Sequence, residues 1–255
     1  MKPDPHATSG RPNPSPRRMQ AKGLTKFYQN RQVVSKVGIE VARGEIIALL
    51  GPNGAGKTTV MSMMTGIFKP DGGTITIDGR DVTDLPIHAR AKLGLSYLPQ
   101  EDSVFTGLSV EDNIMLYLES AESSLGRRRE RLDAILAEFG LDAIRRQNAG
   151  RLSGGQRRRT EIARALAVNP SYVLLDEPFA GVDPLAISEI KHTISALRAR
   201  GMGVLVTDHN VRETLSLVDH AYILVGGRLL AAGTPDEIKA HPEVRQFYLG
   251  SSLDS

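Results

Sequence analysis

The sequence contains no cysteine. That excludes disulfides, thiol nucleophiles and cysteine-ligated zinc. No apolar run approaches the roughly 18 residues that cross a bilayer, and the N-terminus lacks an apolar signal core. These absences fit a reducing cytoplasm and a chain that is not itself integral to a membrane. Internal repeats and coiled-coil heptads are missing too. The small net charge is no sign of a basic face on the folded body either. The net charge is +3, and Lys2, Arg11, Arg17 and Arg18 against Asp4 already give +4 − 1 = +3. Everything after residue 18 therefore sums to zero, and nucleic acid is not expected as a partner.

What is present is an ordinary globular composition over 255 residues, 40% apolar and 24% charged. Residues 1–18 hold five of the 14 prolines. Such a segment buries too little to offset the entropy of ordering and is read as a disordered tail; Met19 is a candidate for the true start. From there a strand-like run spans 32–41, followed by a short apolar strand at 45–50, a glycine-rich turn and a helix at 57–65. Further strands are expected at 74–77 and 95–98. Residues 109–120, 124–139 and 155–168 carry helical periodicity. Continuous apolar strands at 172–176, 204–207 and 221–225 alternate with helical segments. That pattern indicates an α/β core with a mostly parallel sheet covered on both faces. The expected division is a core at about 19–100 and 170–235, a helical insertion at about 101–169 and a C-terminal helical segment at about 236–250.

Gly51-Pro52-Asn53-Gly54-Ala55-Gly56-Lys57-Thr58-Thr59 fits the pattern G-x-x-x-x-G-K-[ST] between an apolar strand and a helix. Glycines let successive N–H groups curl toward phosphate oxygens, and the helix adds its positive dipole end. Lys57 is placed to neutralise β and γ phosphates, and Thr58 to put a hydroxyl on Mg²⁺. The strand 172–176 ends in Asp176 and Glu177. Asp176 can hold Mg²⁺ through water, and Glu177 can polarise an attacking water. Leu152-Ser153-Gly154-Gly155-Gln156 then opens an arginine-rich helix. A serine beside two glycines at a helix start is a second anion site. Arg157, Arg158 and Arg159 are expected on a solvated or interface face of that helix.

With these strings in order, the chain resembles the ATP-binding cassette (ABC) ATPases over about residues 19–250. The resemblance implies a P-loop NTPase (RecA-like) core with a helical subdomain, binding ATP and Mg²⁺ as an ABC nucleotide-binding domain. It assigns Gln100, after Tyr97-Leu98-Pro99, to sensing Mg²⁺ and water. His209, after Val204–Asp208, would hold the γ-phosphate, and Tyr28 would stack on adenine. It also implies a head-to-tail homodimer in which Ser153, Gly154, Gly155 and Gln156 of one copy close on the phosphate held by Lys57 of the other. Asp183 would couple the two sites. The usual Ser-Ala-Leu-Asp at that loop is here Ala180-Gly181-Val182-Asp183, so the serine is missing.

A lone cassette with about 50 residues between Gln100 and Leu152 excludes the coiled-coil, tandem-cassette and membrane-fused branches. Leu175–Pro184, Asp208–Leu215 and Ile87–Ala91 resemble the ATPases of lipopolysaccharide export. The ending Val244–Gly250 is shared with ATPases of branched-chain amino-acid importers, which stand as the alternative. The resemblance implies two transmembrane subunits docked near Gln100–Phe105, with Phe105 as an exposed aromatic anchor. It implies a peripheral place on the cytoplasmic face of the inner membrane and no contact between this chain and the transported substrate. A soluble ABC ATPase acting on another macromolecule and a regulatory ATP-binding module remain open alternatives.

Overall fold

In the computed structural model, residues 17–246 are described. The strands are β1 (Arg18–Tyr28), β2 (Arg31–Ala42), β3 (Ile46–Leu50), β4 (Gly72–Ile77), β5 (Arg80–Asp81), β6 (Leu95–Leu98), β7 (Tyr172–Asp176), β8 (Gly203–Asp208), β9 (His220–Val225) and β10 (Arg228–Gly233). The helices are α1 (Lys57–Thr65), α2 (Ile87–Lys92), α3 (Val110–Ala121), α4 (Leu125–Glu138), α5 (Gly154–Leu166), α6 (Pro184–Ala199), α7 (Val211–Leu215), α8 (Pro235–Ala240) and α9 (Pro242–Val244).

The main sheet runs β10-β9-β3-β8-β7-β6. All of its pairs are parallel except β9–β10, which is antiparallel. Every residue of β3, β7 and β8 is buried, as uninterrupted apolar strands require. Side chains alternate across the sheet. Ile46, Ala48 and Leu50 face a core built with α3, α4, α5 and α6. Ile47 and Leu49 face a second core that contains α1 and strands β1, β2 and β4. Those strands, with β5, form a separate antiparallel sheet of order β2-β1-β4-β5.

Strand β1 is the main element of that second sheet that the sequence reading lacked. Strand β1 was not foreseen because its alternation is broken: the register with β2 slips between Ala21 and Leu24, where Gly23 takes a positive φ of 63°. Strand β10 was missed because it is an edge with no fully buried residue. Arg18, assigned to the tail, is the first residue of β1; it pairs with Ala42 in register, and its guanidinium bonds Glu40 at 3.0 Å. Arg17 precedes it, its carbonyl accepting from the Arg43 N–H at 3.1 Å; residues 1–16 of the expected tail lie outside the described residues, as do 247–250 of the expected C-terminal segment. Between β6 and β7 the described chain is helical, with one isolated bridge, Ser109 to Asn148.

Helix α1 is sandwiched between the sheets, and almost every turn of it is buried. Gly56 and Gly66 bracket it, both in the left-handed region. Arg90 of α2, fully buried, closes its C-terminal end. Its guanidinium donates to the carbonyls of Met63 (2.7 Å), Met64 (2.8 Å), Leu85 (2.8 Å) and Thr83 (3.0 Å). A cation there satisfies orphan carbonyls and meets the negative dipole end. Arg90→Ala should lower the unfolding free energy by about 2–4 kcal/mol, since it leaves buried acceptors unpaired. Denaturant titration checks this; a loss below about 1 kcal/mol would contradict the assigned capping role.

Candidate functional site

The parallel register puts the ends of three strands side by side. Leu50 of β3 lies opposite Asp208 of β8, and Asp176 of β7 lies opposite Thr207. The loop after β3, the carboxylates after β7 and His209 after β8 therefore meet at the carboxyl edge of the sheet, where such sheets bind ligands. A cavity of about 470 Å³ opens there, lined by Val33, Asn53, Gly54, Gly56, Lys57, Thr58, Thr59, Gln100, Glu177 and His209. Lys57, Thr58, Gln100, Glu177 and His209, singled out from the sequence, are thus brought to one space.

The loop's glycines have physical reasons. A Cβ on Gly51 would sit 2.2 Å from the carbonyl oxygen of Leu224, on neighbouring β9. Gly56 has φ 106°, and a Cβ there would press on the Val33 carbonyl oxygen at 3.0 Å. The backbone cradle survives only without side chains at these points. Lys57 folds back across the loop: its Nζ donates to the carbonyls of Gly51 (2.8 Å) and Pro52 (3.2 Å). Burial lowers its pKa, against the pull of Glu177, Asp176 and Asp208. Thr58 is exposed, while Ala55 is buried beneath the loop.

Asp176 is buried. It accepts hydrogen bonds from the hydroxyls of Thr207 and, at 3.4 Å, Tyr97. Burial raises its pKa more than those bonds lower it. Glu177 follows in a left-handed conformation, φ 45°, held by its N–H donating to the Thr207 carbonyl at 2.9 Å. A non-glycine residue there stores strain of about 1 kcal/mol or more. Its Oε2 accepts from Gln100 Nε2 at 3.0 Å and lies 3.3 Å from His209 Nδ1. A carboxylate lining the cavity is thus oriented by an amide and an imidazole.

Sequence reading gave Thr207 and Asp208 no role. Asp208 is buried, with its pKa raised by that burial. It accepts from the N–H groups of Asn210 (2.7 Å) and Phe179 (3.3 Å), fixing the turns that carry His209 and Glu177. The signal was available: a second acid ends a buried strand directly before the histidine.

Arg158 corrects an expectation. It is buried rather than on a solvated face. Its guanidinium donates to the carbonyls of Pro99 (3.0 Å) and Asp176 (3.1 Å) and pairs with Glu161 at 3.0 Å. It therefore ties α5 to the strand ends carrying Gln100 and Asp176. Arg157 pairs with Asp102, and Arg159 with Glu189 at 3.3 Å.

The second anion motif is not in the phosphate-loop cavity. The hydroxyl of Ser153 accepts from Gln156 N, and the Gln156 side chain accepts from Ser153 N, forming a capping box at the start of α5. Gly155 is a packing position, because a Cβ there would lie 2.6 Å from Ala186 Cβ on α6. Ser153 and Gly154 are exposed. Gly154 lines a separate cleft with Gln100, Glu177, Arg158 and Gly181. Asp183 caps α6 by accepting from Ala186 N at 3.0 Å. Tyr28 ends β1, half exposed, and is not among the residues that line the cavity. Phe105 is 48% exposed, with the Arg164 guanidinium 5.4 Å from its ring centre.

The arrangement fits a polyphosphate: a glycine cradle a Cβ would fill, a helix start and one buried ammonium. Among the described residues no three His, Asp or Glu side chains cluster as a self-sufficient metal site. A Mg²⁺ here would draw on Thr58, Asp176 and Gln100 and complete its shell with phosphate and water oxygens, the usual habit of this ion.

Residues 34–180 match the ABC transporter family. The chain belongs to that family, and it is an ATPase. Residues 228–254 also match a C-terminal family described as branched-chain amino acid ATP-binding cassette transporter. Among individual proteins, a probable ABC transporter ATP-binding protein of Azorhizobium caulinodans is 55% identical over 92% of this chain and 84% of its own length. The lipopolysaccharide export system ATP-binding protein LptB of Acidithiobacillus ferridurans is 54% identical over 92% of this chain and 98% of its own. Of solved structures, the ADP form of the ABC cassette MJ1267 superposes with a TM-score of 0.83 at 26% identity, over 92% of this chain and all of that one. No helix among the described residues is long and apolar enough to cross a membrane.

The buried Asp176 gives a testable sign. Its folded pKa lies above that of an unfolded aspartate, so the ionised form is disfavoured by folding. That cost is absent at low pH, grows as pH rises from the unfolded to the folded pKa, and persists above both. Asp176→Asn keeps hydrogen bonding, because both hydroxyl partners can reverse. Without nucleotide it should raise the melting temperature at pH 7.5, with the gain shrinking as pH falls toward 4. A lower melting temperature at pH 7.5 would contradict the burial argument.

Proposed function

We propose that this chain is the ATP-hydrolysing motor of a transporter that extracts lipopolysaccharide from the inner membrane and exports it toward the outer membrane. The observation that carries the reading is the 54% identity to a protein named for that export system, over 98% of that protein's length. In this reading Gly51–Thr59 wraps the ATP phosphates, Lys57 neutralises the β and γ groups, and Tyr28 stacks on the base. Thr58, Asp176 and Gln100 hold Mg²⁺, which supplies charge neutralisation at the transferred phosphate. Glu177 orients or deprotonates the attacking water, and His209 holds the γ-phosphate. The bonds from Gln100 and His209 to Glu177 support this, because they fix a carboxylate that points into the cavity.

The same reading pairs two copies head to tail. Ser153, Gly154, Gly155 and Gln156 of one then complete the phosphate site of the other, and Asp183 links the two sites. Two membrane subunits dock beside Gln100–Phe105, on the cytoplasmic face of the inner membrane. The exposure of Phe105 supports an aromatic anchor there. A second reading, the ATPase of a branched-chain amino-acid importer, draws on the C-terminal match at 228–254.

Glu177→Gln should still bind ATP and should turn over at least about 10²-fold more slowly, the usual worth of a positioned base. Steady-state phosphate release checks this, and wild-type turnover would remove Glu177 from the chemistry. The transport assignment is tested by gentle solubilisation of membranes and mass spectrometry of what co-purifies with the tagged chain. Two subunits with large periplasmic domains support export of lipopolysaccharide. Two compact permeases with a periplasmic amino-acid-binding protein establish the importer instead.

A further inference from the structure

At the end of β1 lies a small unit that the ATPase chemistry does not explain. Tyr28 and Phe68 are both large, aromatic and nearly half exposed, at 44% and 45%. Their ring centres are 6.4 Å apart and their planes meet at 85°. That is edge-to-face geometry, which is attractive and directional. The two residues come from different elements. Tyr28 ends β1, and Phe68 follows the last turn of α1.

The contact is backed by a clamp. Asp71 accepts from the Phe27 N–H at 2.7 Å and from Lys26 Nζ at 2.9 Å, and Lys26 Nζ also donates to the Lys69 carbonyl at 2.8 Å. The Asp71 N–H donates to the Thr25 carbonyl at 2.9 Å. The Phe27 N–H and then Lys26 hold the Asp71 carboxyl below its usual range. On the other side, the N–H groups of Ile67 and Phe68 both donate to the Ser62 carbonyl of α1, at 2.9 and 3.1 Å. The end of β1 is therefore fastened to the C-terminal end of the helix whose N-terminus forms the phosphate cradle. Tyr28 also faces Arg31 across the β1–β2 turn, two residues from Val33, which lines the cavity.

We propose that Phe68 is a positioning residue for base recognition: packed at right angles to Tyr28 and fastened to α1 through Ser62, it fixes the ring on which the adenine of bound nucleotide stacks. This rests on the reading of Tyr28 as the base platform. An exposed tyrosine at a hairpin end would otherwise sample several rotamers, and stacking on it would carry that ordering cost. Phe68 removes the cost in advance and sets the platform at a constant distance from the phosphates, because both belong to α1's rigid frame.

The test separates base from phosphate binding. Calorimetry compares ATP with ribose 5-triphosphate, which keeps the sugar and phosphates and lacks the base. Tyr28→Ala should weaken ATP at least about tenfold while leaving ribose 5-triphosphate unchanged. Phe68→Ala should weaken ATP about threefold to tenfold with the same selectivity. Phe68→Tyr, which keeps the aromatic edge, should restore wild-type affinity. If Tyr28→Ala weakens ATP but Phe68→Ala does so less than threefold, the positioning role is overturned and the platform stands. If Phe68→Ala weakens both ligands equally, the residue acts through packing of α1 and the proposal is wrong. An unchanged ATP affinity in Tyr28→Ala overturns the platform and the proposal with it.

Discussion

The fully buried guanidinium of Arg90 donates to the carbonyls of Met63 and Met64 at the end of α1 and to those of Thr83 and Leu85 in the segment that leads into α2. Much of the site depends on that contact, because α1 is short and buried on nearly all sides. A helix of this length has little stability of its own. Its orientation is set by its ends and its burial. The C-terminal end is satisfied by Gly66 and Arg90. The N-terminal end is left without a side-chain cap, since Gly56 has no polar group to offer. Unsatisfied N–H groups at a fixed point are what a phosphate requires. The same helix carries Lys57 at its start and, just past its end, the loop that grips β1. A short element closed at one end and open at the other is therefore the reference frame for the nucleotide.

Charge supplies the second constraint. Asp176, Glu177 and Asp208 crowd the carboxyl edge of the sheet, and Lys57 is the buried cation facing them. Burial raises the pKa of both aspartates and lowers that of the lysine. Each of these groups is thus less stable in its ionised form than it would be in water. An anionic ligand alone relieves Lys57 and worsens the carboxylates; a cation alone does the reverse. A polyphosphate with a divalent cation relieves both at once. The backbone strain at Glu177 belongs to the same balance, since it turns that carboxylate out of the strand and toward the cavity.

How legible this was in the sequence varied with the kind of signal. The phosphate loop and α1 were readable because glycine spacing and an apolar run announce them, and α1 lies at 57–65 as the pattern predicts. Strand β7 was readable at 172–176 for the same reason. The second sheet was readable only in part: β2 and β4 lie where strands are expected at 32–41 and 74–77, while β1 is interrupted by a bulge and its other partner, β4, lies far along the chain. Arg158 was misread because three consecutive arginines look solvated. Its burial depends on carbonyls of Pro99 and Asp176, which are 59 and 18 residues away. Local composition cannot announce an acceptor contributed by another strand. Asp208 was visible as an acid but not as a hinge of two turns.

The segment Leu152–Gln156 stands apart from the phosphate-loop cavity. In the single chain the Ser153 hydroxyl caps its own helix through Gln156, and Gly155 is committed to packing against Ala186. What remains outward is the Ser153–Gly154 corner, with helix-end N–H groups behind it. Arg158 anchors the same helix to the strand end carrying Asp176 and to the segment before Gln100. The exposed corner is therefore tied, through α5, to the backbone of the site's own carboxylate strand. The anchor is a buried arginine that bonds two backbone carbonyls and the Glu161 carboxylate, whereas Arg90, beside α1 on the other side of the sheet, bonds backbone carbonyls through all three of its nitrogens.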